Sequence, residues 1–179
     1  KLTDFPSQSN YLVAERGLVT KWRDRLSALG GKLKVGISWR SGLMTARRLT
    51  ALSQLADWAP LLSVPGVSFV NLQYGDCAAE LAAAEAANGV SIHRWDDLDL
   101  KDDLEDVAAL CCGLDLVLHM GTSIGDLAGG LGRPCWALLR VPEYIMLGTD
   151  HLPYCPGARV FAKPYDRDWP EVLQEVAEA

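Results

Sequence analysis

Residues 114–139 read LDLVLHMGTSIGDLAGGLGRPCWALL, and the fold turns on how this stretch is parsed. Leu114 to Met120 is almost wholly apolar and reads as a strand. Gly121 and Thr122 interrupt it, Ser123 to Leu131 reads as a short helix, and Gly132 closes that helix. Cys135 to Leu139 is apolar again and reads as the next strand. Neither strand alternates between apolar and polar, so both are buried on two faces, as in a parallel sheet covered by helices.

The alternation extends in both directions. Upstream, Leu33 to Trp39, Val67 to Leu72 and the weaker Val90 to Trp95 read as strands. Helical segments lie over 52–62, 76–88 (ended by Gly89) and 102–113. Downstream, Arg159 to Ala162 is a short sixth strand. Trp169, Val172, Leu173 and Val176 define a last helix, with Asp168 and Glu171 spaced as a capping box. Ahead of the sheet, Leu18, Val19, Trp22, Leu26 and Leu29 share one helical face that ends at Gly30-Gly31, and residues 1–16 read as a linker. The division expected is therefore a linker and connector helix over 1–32 and a doubly wound, mainly parallel, Rossmann-like α/β lobe over 33–179. Strand orders 3-2-1-4-5 and 2-1-3-4-5 both fit the pattern.

Composition bounds the function classes. At 179 residues, 49% apolar and 22% charged, the chain is one globular domain or one lobe of a larger protein. No apolar run approaches the roughly 18 residues of a membrane span. No basic-plus-apolar leader is visible, and a chain opening on Lys1 reads as an excised piece of a longer protein. The net charge is −6, with seven acids and one base in residues 96–106, against ten bases and three acids in residues 1–50. That balance argues against a nucleic-acid groove and leaves room for a small basic pocket. The acidic run reads as a solvated loop leading into the acid-rich first turn of a helix, with neither EF-hand spacing nor its glycine turn, and no metal is expected. Five cysteines without a C-x-x-C pair fit a reducing, cytoplasmic setting, and Cys111 and Cys112 read as small buried hydrophobes.

Ligands of open parallel sheets bind beyond the carboxyl ends of the strands, where the order reverses. For order 3-2-1-4-5 the crevice lies between the loop at 40–50 and the turn at 121–126. The turn opens a helix, whose free N–H groups and dipole favour an anion. Gly121 allows close approach to the backbone, Thr122 and Ser123 offer hydroxyls, and Asp126 is placed to accept from a ribose hydroxyl. Ser123-x-x-Asp126 is equally a capping box, and that reading stays open. Arg40, Arg47 and Arg48 in the other loop are suited to a diphosphate or to plain solubility. Ser38 and Ser41 could add hydroxyl contacts. Neither a P-loop nor G-x-G-x-x-G is present. His119 ends the fourth strand near this crevice. His151, beside Asp150, could face it. His93 lies in the third strand.

Four strings, KVGISW (34–39), LLSVPGVSFVNLQYG (61–75), LDLVL (114–118) and LAGGLGRPCW (127–136), resemble the C-terminal half of bacterial tetratricopeptide-repeat proteins that carry a glycosyltransferase-like region. That region is similar to ADP-heptose heptosyltransferases and, more distantly, to the O-GlcNAc transferase catalytic domain. The resemblance runs from about Tyr11 to the end. It implies a GT-B enzyme, whose C-terminal lobe holds a nucleotide-diphosphate sugar, and it favours strand order 3-2-1-4-5. It further implies inverting, metal-independent transfer without a cofactor, with the N-terminal lobe and the repeats outside this chain and the fragment inactive alone. By position, Thr122 matches a phosphate contact, while Gly121 stands for the heptosyltransferase Asp and Asp126 for its His. Against the O-GlcNAc transferase, Thr122, Ser123 and Asp126 match, with Asp126 in the ribose place. The phosphate-binding Lys falls near Arg47 or Arg48. The segment 142–148 replaces a tryptophan-rich one. Base recognition would fall to Ile92, His93 and Arg94. Two other readings carried alongside are a non-catalytic binding or scaffold module and a sugar-nucleotide epimerase lobe.

Overall fold

The structure is a computed structural model and describes residues 10–41 and 52–179. Its strands are β1 (Leu33–Ser38), β2 (Val67–Asn71), β3 (Ile92–His93), β4 (Leu116–His119), β5 (Cys135–Arg140) and β6 (Ala158–Lys163). Helices are α1 (Arg16–Ser27), α2 (Ala59–Leu62, continuing a 3-10 turn over Leu55–Trp58), α3 (Ala78–Asn88), α4 (Leu104–Gly113), α5 (Ser123–Gly130) and α6 (Trp169–Glu178). The sheet has six strands in the order β3-β2-β1-β4-β5-β6, and every pair is parallel. Of the two orders the sequence allowed, the first is the one adopted, with β6 added beyond β5.

Two apolar layers sandwich the sheet. One holds Trp22 and Leu26 of α1, Val107 to Cys111 of α4, and Ala128 of α5. The other holds Trp58, Leu61 and Leu62, Leu81 of α3, and Trp169, Val172 and Leu173 of α6. Gly36 in the central strand makes one layer fit: a Cβ there would lie 2.4 Å from Leu72 Cδ1 and 2.7 Å from Leu114 Cδ1.

Several local expectations are corrected. The third strand pairs only over Ile92–His93, at the edge of the sheet. Just beyond it Arg94 turns back to the Ile92 carbonyl (3.2 Å) and to Glu85 (3.1 Å). The capping box at the start of α6 does not form: the Asp168 side chain makes no cap bond, and Glu171 accepts from Arg167 instead, at 3.2 Å.

The acidic run is exposed as its composition suggests, with Asp106 half-buried. Glu105 and Asp106 do sit in the first turn of α4, whose N-cap Asp103 accepts from the Asp106 N–H. Asp97, however, takes a two-pronged bond from Arg25 (2.9 and 2.6 Å). Asp106 accepts from Lys21 (2.9 Å) and from the indole N–H of Trp22 (2.5 Å). The basic face of α1 and the acidic run are thus two halves of one interface, with Trp22 fully buried between them. Asp106→Ala leaves that indole N–H without an acceptor and should lower the unfolding free energy by about 1–2 kcal/mol in urea titration. Asp106→Asn, which keeps one acceptor oxygen, should recover part of the loss. Equal stability of Asp106→Ala and the parent would show that the bond contributes nothing.

Candidate functional site

The strand order reverses between β1 and β4, and a cleft of about 580 Å³ opens at their carboxyl ends. Its floor is the turn leaving β4. Gly121 takes a left-handed φ of 59°, which a glycine adopts without strain. A Cβ on it would stand 3.1 Å from Leu139 Cδ2, so the turn lies against the end of β5. Thr122 is the N-cap of α5, yet its side chain makes no cap bond. Its hydroxyl instead meets Ser38 Oγ at 3.2 Å. The capping-box reading of Ser123 and Asp126 therefore fails, since Ser123 is already the first helical residue. Among the described residues Thr122 supplies no side-chain cap, and the first turn of α5, with Thr122 and Ser123, lines the cleft.

A buried polar seam holds this mouth in place. Ser38 is buried and donates weakly to Gln73 Oε1 (3.4 Å), which also accepts from the Arg40 N–H (3.0 Å). Gln73 Nε2 donates to the Tyr74 carbonyl (3.1 Å). The ends of β4, β1 and β2 are tied through Thr122, Ser38 and Gln73. Ser38 therefore supports the cleft from beneath, whereas Ser41 lines it. Gln73 was not singled out from the sequence, because a lone polar residue after an apolar strand looks like any loop residue.

Behind the turn stands His119, with only 3% of its surface exposed and its Nδ1 without a hydrogen-bond partner. Its ring faces Gly125: a Cβ there would lie 1.9 Å from His119 Cε1 and 2.2 Å from each ring nitrogen. Burial lowers its pKa to about 4, so the imidazole is neutral at ordinary pH.

Asp126 lies one turn into α5, lines the cleft and pairs with the Tyr154 hydroxyl. Desolvation raises the pKa of Asp126, and the Tyr154 contact partly offsets that. The same pairing and burial push the Tyr154 phenol up. Arg140, at the end of β5, also lines the cleft, and its guanidinium lies 4.3 Å from the centre of the Tyr165 ring. Tyr154 and Arg140 are further contributors that periodicity did not mark.

The expected residues are therefore partly brought together. Gly121, Thr122, Ser123 and Asp126 share the cleft. Arg40 does not line it. Its guanidinium is committed to Glu80 (Nε 2.9 Å, Nη2 2.7 Å) and to the Asp76 carbonyl (2.7 Å). Glu80 also accepts from the Trp39 indole (2.6 Å). Burial alone would raise the pKa of Glu80, but the two donors outweigh it and hold the carboxylate below its usual range. Arg47 and Arg48 lie outside the described residues. His151 is exposed, bonds Asp150 at 3.0 Å, and does not line the cleft.

A second cleft, of about 540 Å³, lies beyond β2 and β3 and is lined by Arg94 and Trp95 among others. Tyr74 lines both clefts. Arg94 reaches this second cleft. Ile92 is buried in the core and His93 does not line the cleft; burial lowers the His93 pKa.

No protein-family model matches the chain. Protein FlbA of Caulobacter vibrioides (strain ATCC 19089 / CIP 103742 / CB 15) is 39% identical over 175 residues, which is 98% of this chain and 29% of that protein. The chain thus spans less than a third of this curated relative. Among solved structures, it superposes on the E. coli ADP-heptose lps heptosyltransferase II with a TM-score of 0.65 and 16% identity, covering 98% of this chain and 55% of that one. The glycosyl transferase family 9 structure from Veillonella parvula DSM 2008 gives 0.53 and 16%, covering 88% and 44%. The fold is that of one Rossmann-like lobe of these transferases. Among the described residues, no helix is long and apolar enough to cross a membrane.

Proposed function

We propose that the chain is the donor lobe of an inverting, metal-independent glycosyltransferase and that its cleft binds a nucleotide-diphosphate sugar. The observation that carries this reading is the start of α5, which Thr122 leaves without a side-chain cap, opening at the strand-order reversal onto Gly121, Thr122 and Ser123. Backbone N–H groups and the helix dipole supply positive potential there, and Gly121 admits a phosphate close to the backbone. Asp126 accepts from a ribose hydroxyl with one carboxylate oxygen while Tyr154 engages the other. The nucleoside then passes Tyr74 into the second cleft, where Arg94 meets the base.

In the transfer, an acceptor oxygen attacks the anomeric carbon as the bond to the diphosphate breaks. The electron pair leaves on the phosphate oxygen, and the lobe's part is to stabilise that growing charge. The acceptor side belongs to a second lobe outside this chain, so the isolated chain binds donor without turning it over. The relative coverages, 29% and 55%, support a longer protein of this kind. Tetratricopeptide repeats and a cytoplasmic setting belong to the same proposal.

Calorimetric titration of the chain with ADP, GDP, UDP and CDP and their sugars tests the reading. At least one should bind, and Thr122→Ala should weaken it about tenfold by removing a hydroxyl from the seam and the phosphate site. Binding of none would leave the second reading, a non-catalytic module that keeps the fold. The replacement of the family's Asp and His by Gly121 and Asp126 favours that alternative.

A further inference from the structure

His119 departs from what core packing favours. An apolar side chain in its place would leave nothing unpaired, whereas the buried imidazole keeps an Nδ1 without a hydrogen-bond partner. In register with it stand Ser38 on β1 and Ala137 on β5. In-register residues of adjacent strands share a face of the sheet, so all three side chains project toward α5. Ala137 has no polar side-chain atom. The Ser38 hydroxyl is engaged by Thr122 at 3.2 Å and by Gln73 at 3.4 Å. Gly125, in the first turn of α5, covers the ring so closely that any Cβ there would collide with it. A core histidine with an orphaned nitrogen and a glycine inside a helix each cost stability, and the two are in contact.

We infer that His119 contacts the ligand itself: a ring N–H donates, from the sheet side of the site, to the phosphate oxygen held at the first turn of α5. This rests on the reading of the cleft given above. Three observations carry it. His119 lines the same cleft as Thr122 and Ser123. Its ring lies against the third residue of α5 and so borders the turn that receives the phosphate. Finally, burial disfavours the charged imidazole, and the neutral ring always carries one N–H donor and one lone pair. A phosphate oxygen beside the ring gives that N–H the acceptor that Ser38, Ala137 and Gly125 do not supply.

The test uses the whole 179-residue chain with its histidines labelled with nitrogen-15. The chain has three histidines, and the spectrum of His119→Gln assigns the ring signals of His119. Long-range proton–nitrogen spectra are recorded without ligand and with saturating pyrophosphate, ADP, GDP, UDP or CDP, whichever calorimetry shows to bind. One ring nitrogen of His119 should shift on binding, and its N–H proton should become visible through slowed exchange, while the exposed His151 stays in place. The affinity of His119→Leu should fall about tenfold, and His119→Gln, which restores an N–H, should recover part of the loss. Ring nitrogens that do not move while ligand saturates the cleft belong to a ring that only fills space; that result overturns the proposal and leaves the cleft reading intact. So does a His119→Leu variant that binds like the parent. If none of these ligands binds, the cleft reading has failed and the role of His119 with it. Should the His119 variants not fold, His93→Gln and His151→Gln assign the remaining ring by elimination, and the spectra of the parent decide.

Discussion

Gly125→Ala should destabilise the protein by about 2–3 kcal/mol and lower its thermal midpoint by roughly 5–10 °C. In an ordinary helix the exchange is favourable, since alanine is the better helix former by about 1 kcal/mol. Here the sign reverses. The new methyl would sit 1.9 Å from His119 Cε1 and 2.2 Å from both ring nitrogens. The ring is buried and rigid, and it is fixed at the end of a strand paired on both sides, so it has little room to retreat. Either α5 lifts or the imidazole leaves its rotamer, and overpacking of that kind costs up to about 3 kcal/mol or more. Because α5 carries the N–H groups of the proposed phosphate site, nucleotide affinity should fall along with stability. The diagnostic comparison is the double variant His119→Ala/Gly125→Ala. The new methyl then fills part of the space left by the ring, so the pair should be more stable than the sum of the single changes by at least about 1 kcal/mol. Strict additivity would mean that the two residues do not share the space the structure gives them.

The contrast between α5 and its surroundings shows what could be read from the chain. Leu114 to Leu139 disclosed its strand–helix–strand succession because double-sided burial leaves a run of apolar residues whatever the partners are. Gly121 and Thr122 were visible for the same reason, as a break between two such runs. Arg40 shows the limit. Its place after β1 marked it as a cation near the switch point, but only the fold reveals that Glu80, forty positions away, captures it. Arg140 is the converse. A charge at the end of an apolar strand looks like a solvated edge, and nothing local says that β5 ends at the cleft wall. The pairing of Lys21 and Arg25 with Asp106 and Asp97 was hidden likewise. Both charge clusters were plain, but their mutual contact depends on α1 packing against α4. Strand order lay beyond the pattern too, since both orders bury the same residues, and the family resemblance separated them.

Acidification should expose the buried imidazole. His119 titrates near 6.5 in the unfolded chain and near 4 in the fold, because burial penalises its charged form. Between those values the unfolded state binds the proton and the folded state does not. Stability is therefore full above about pH 6.5, falls as the pH drops toward 4, and loses nothing further from this group below that. The size of the loss is about 3 kcal/mol, from a shift of two to three pKa units at about 1.4 kcal/mol each. Other groups leave this window readable. Asp97, Asp99 and Asp106 have depressed folded values, so their contributions vanish only at lower pH, below the ordinary carboxylate range. Asp126 has a raised folded value and opposes the trend, gaining stability as it protonates. His93, also lowered by burial, adds in the same direction as His119. Urea titrations at pH 7, 5.5 and 4.5 should show the decline, and His119→Asn, which carries no titrating group, should flatten most of it. The same slope in parent and variant would mean that the ring takes up its proton in the folded state, which requires a partner for Nδ1 that the packing against Gly125 does not provide.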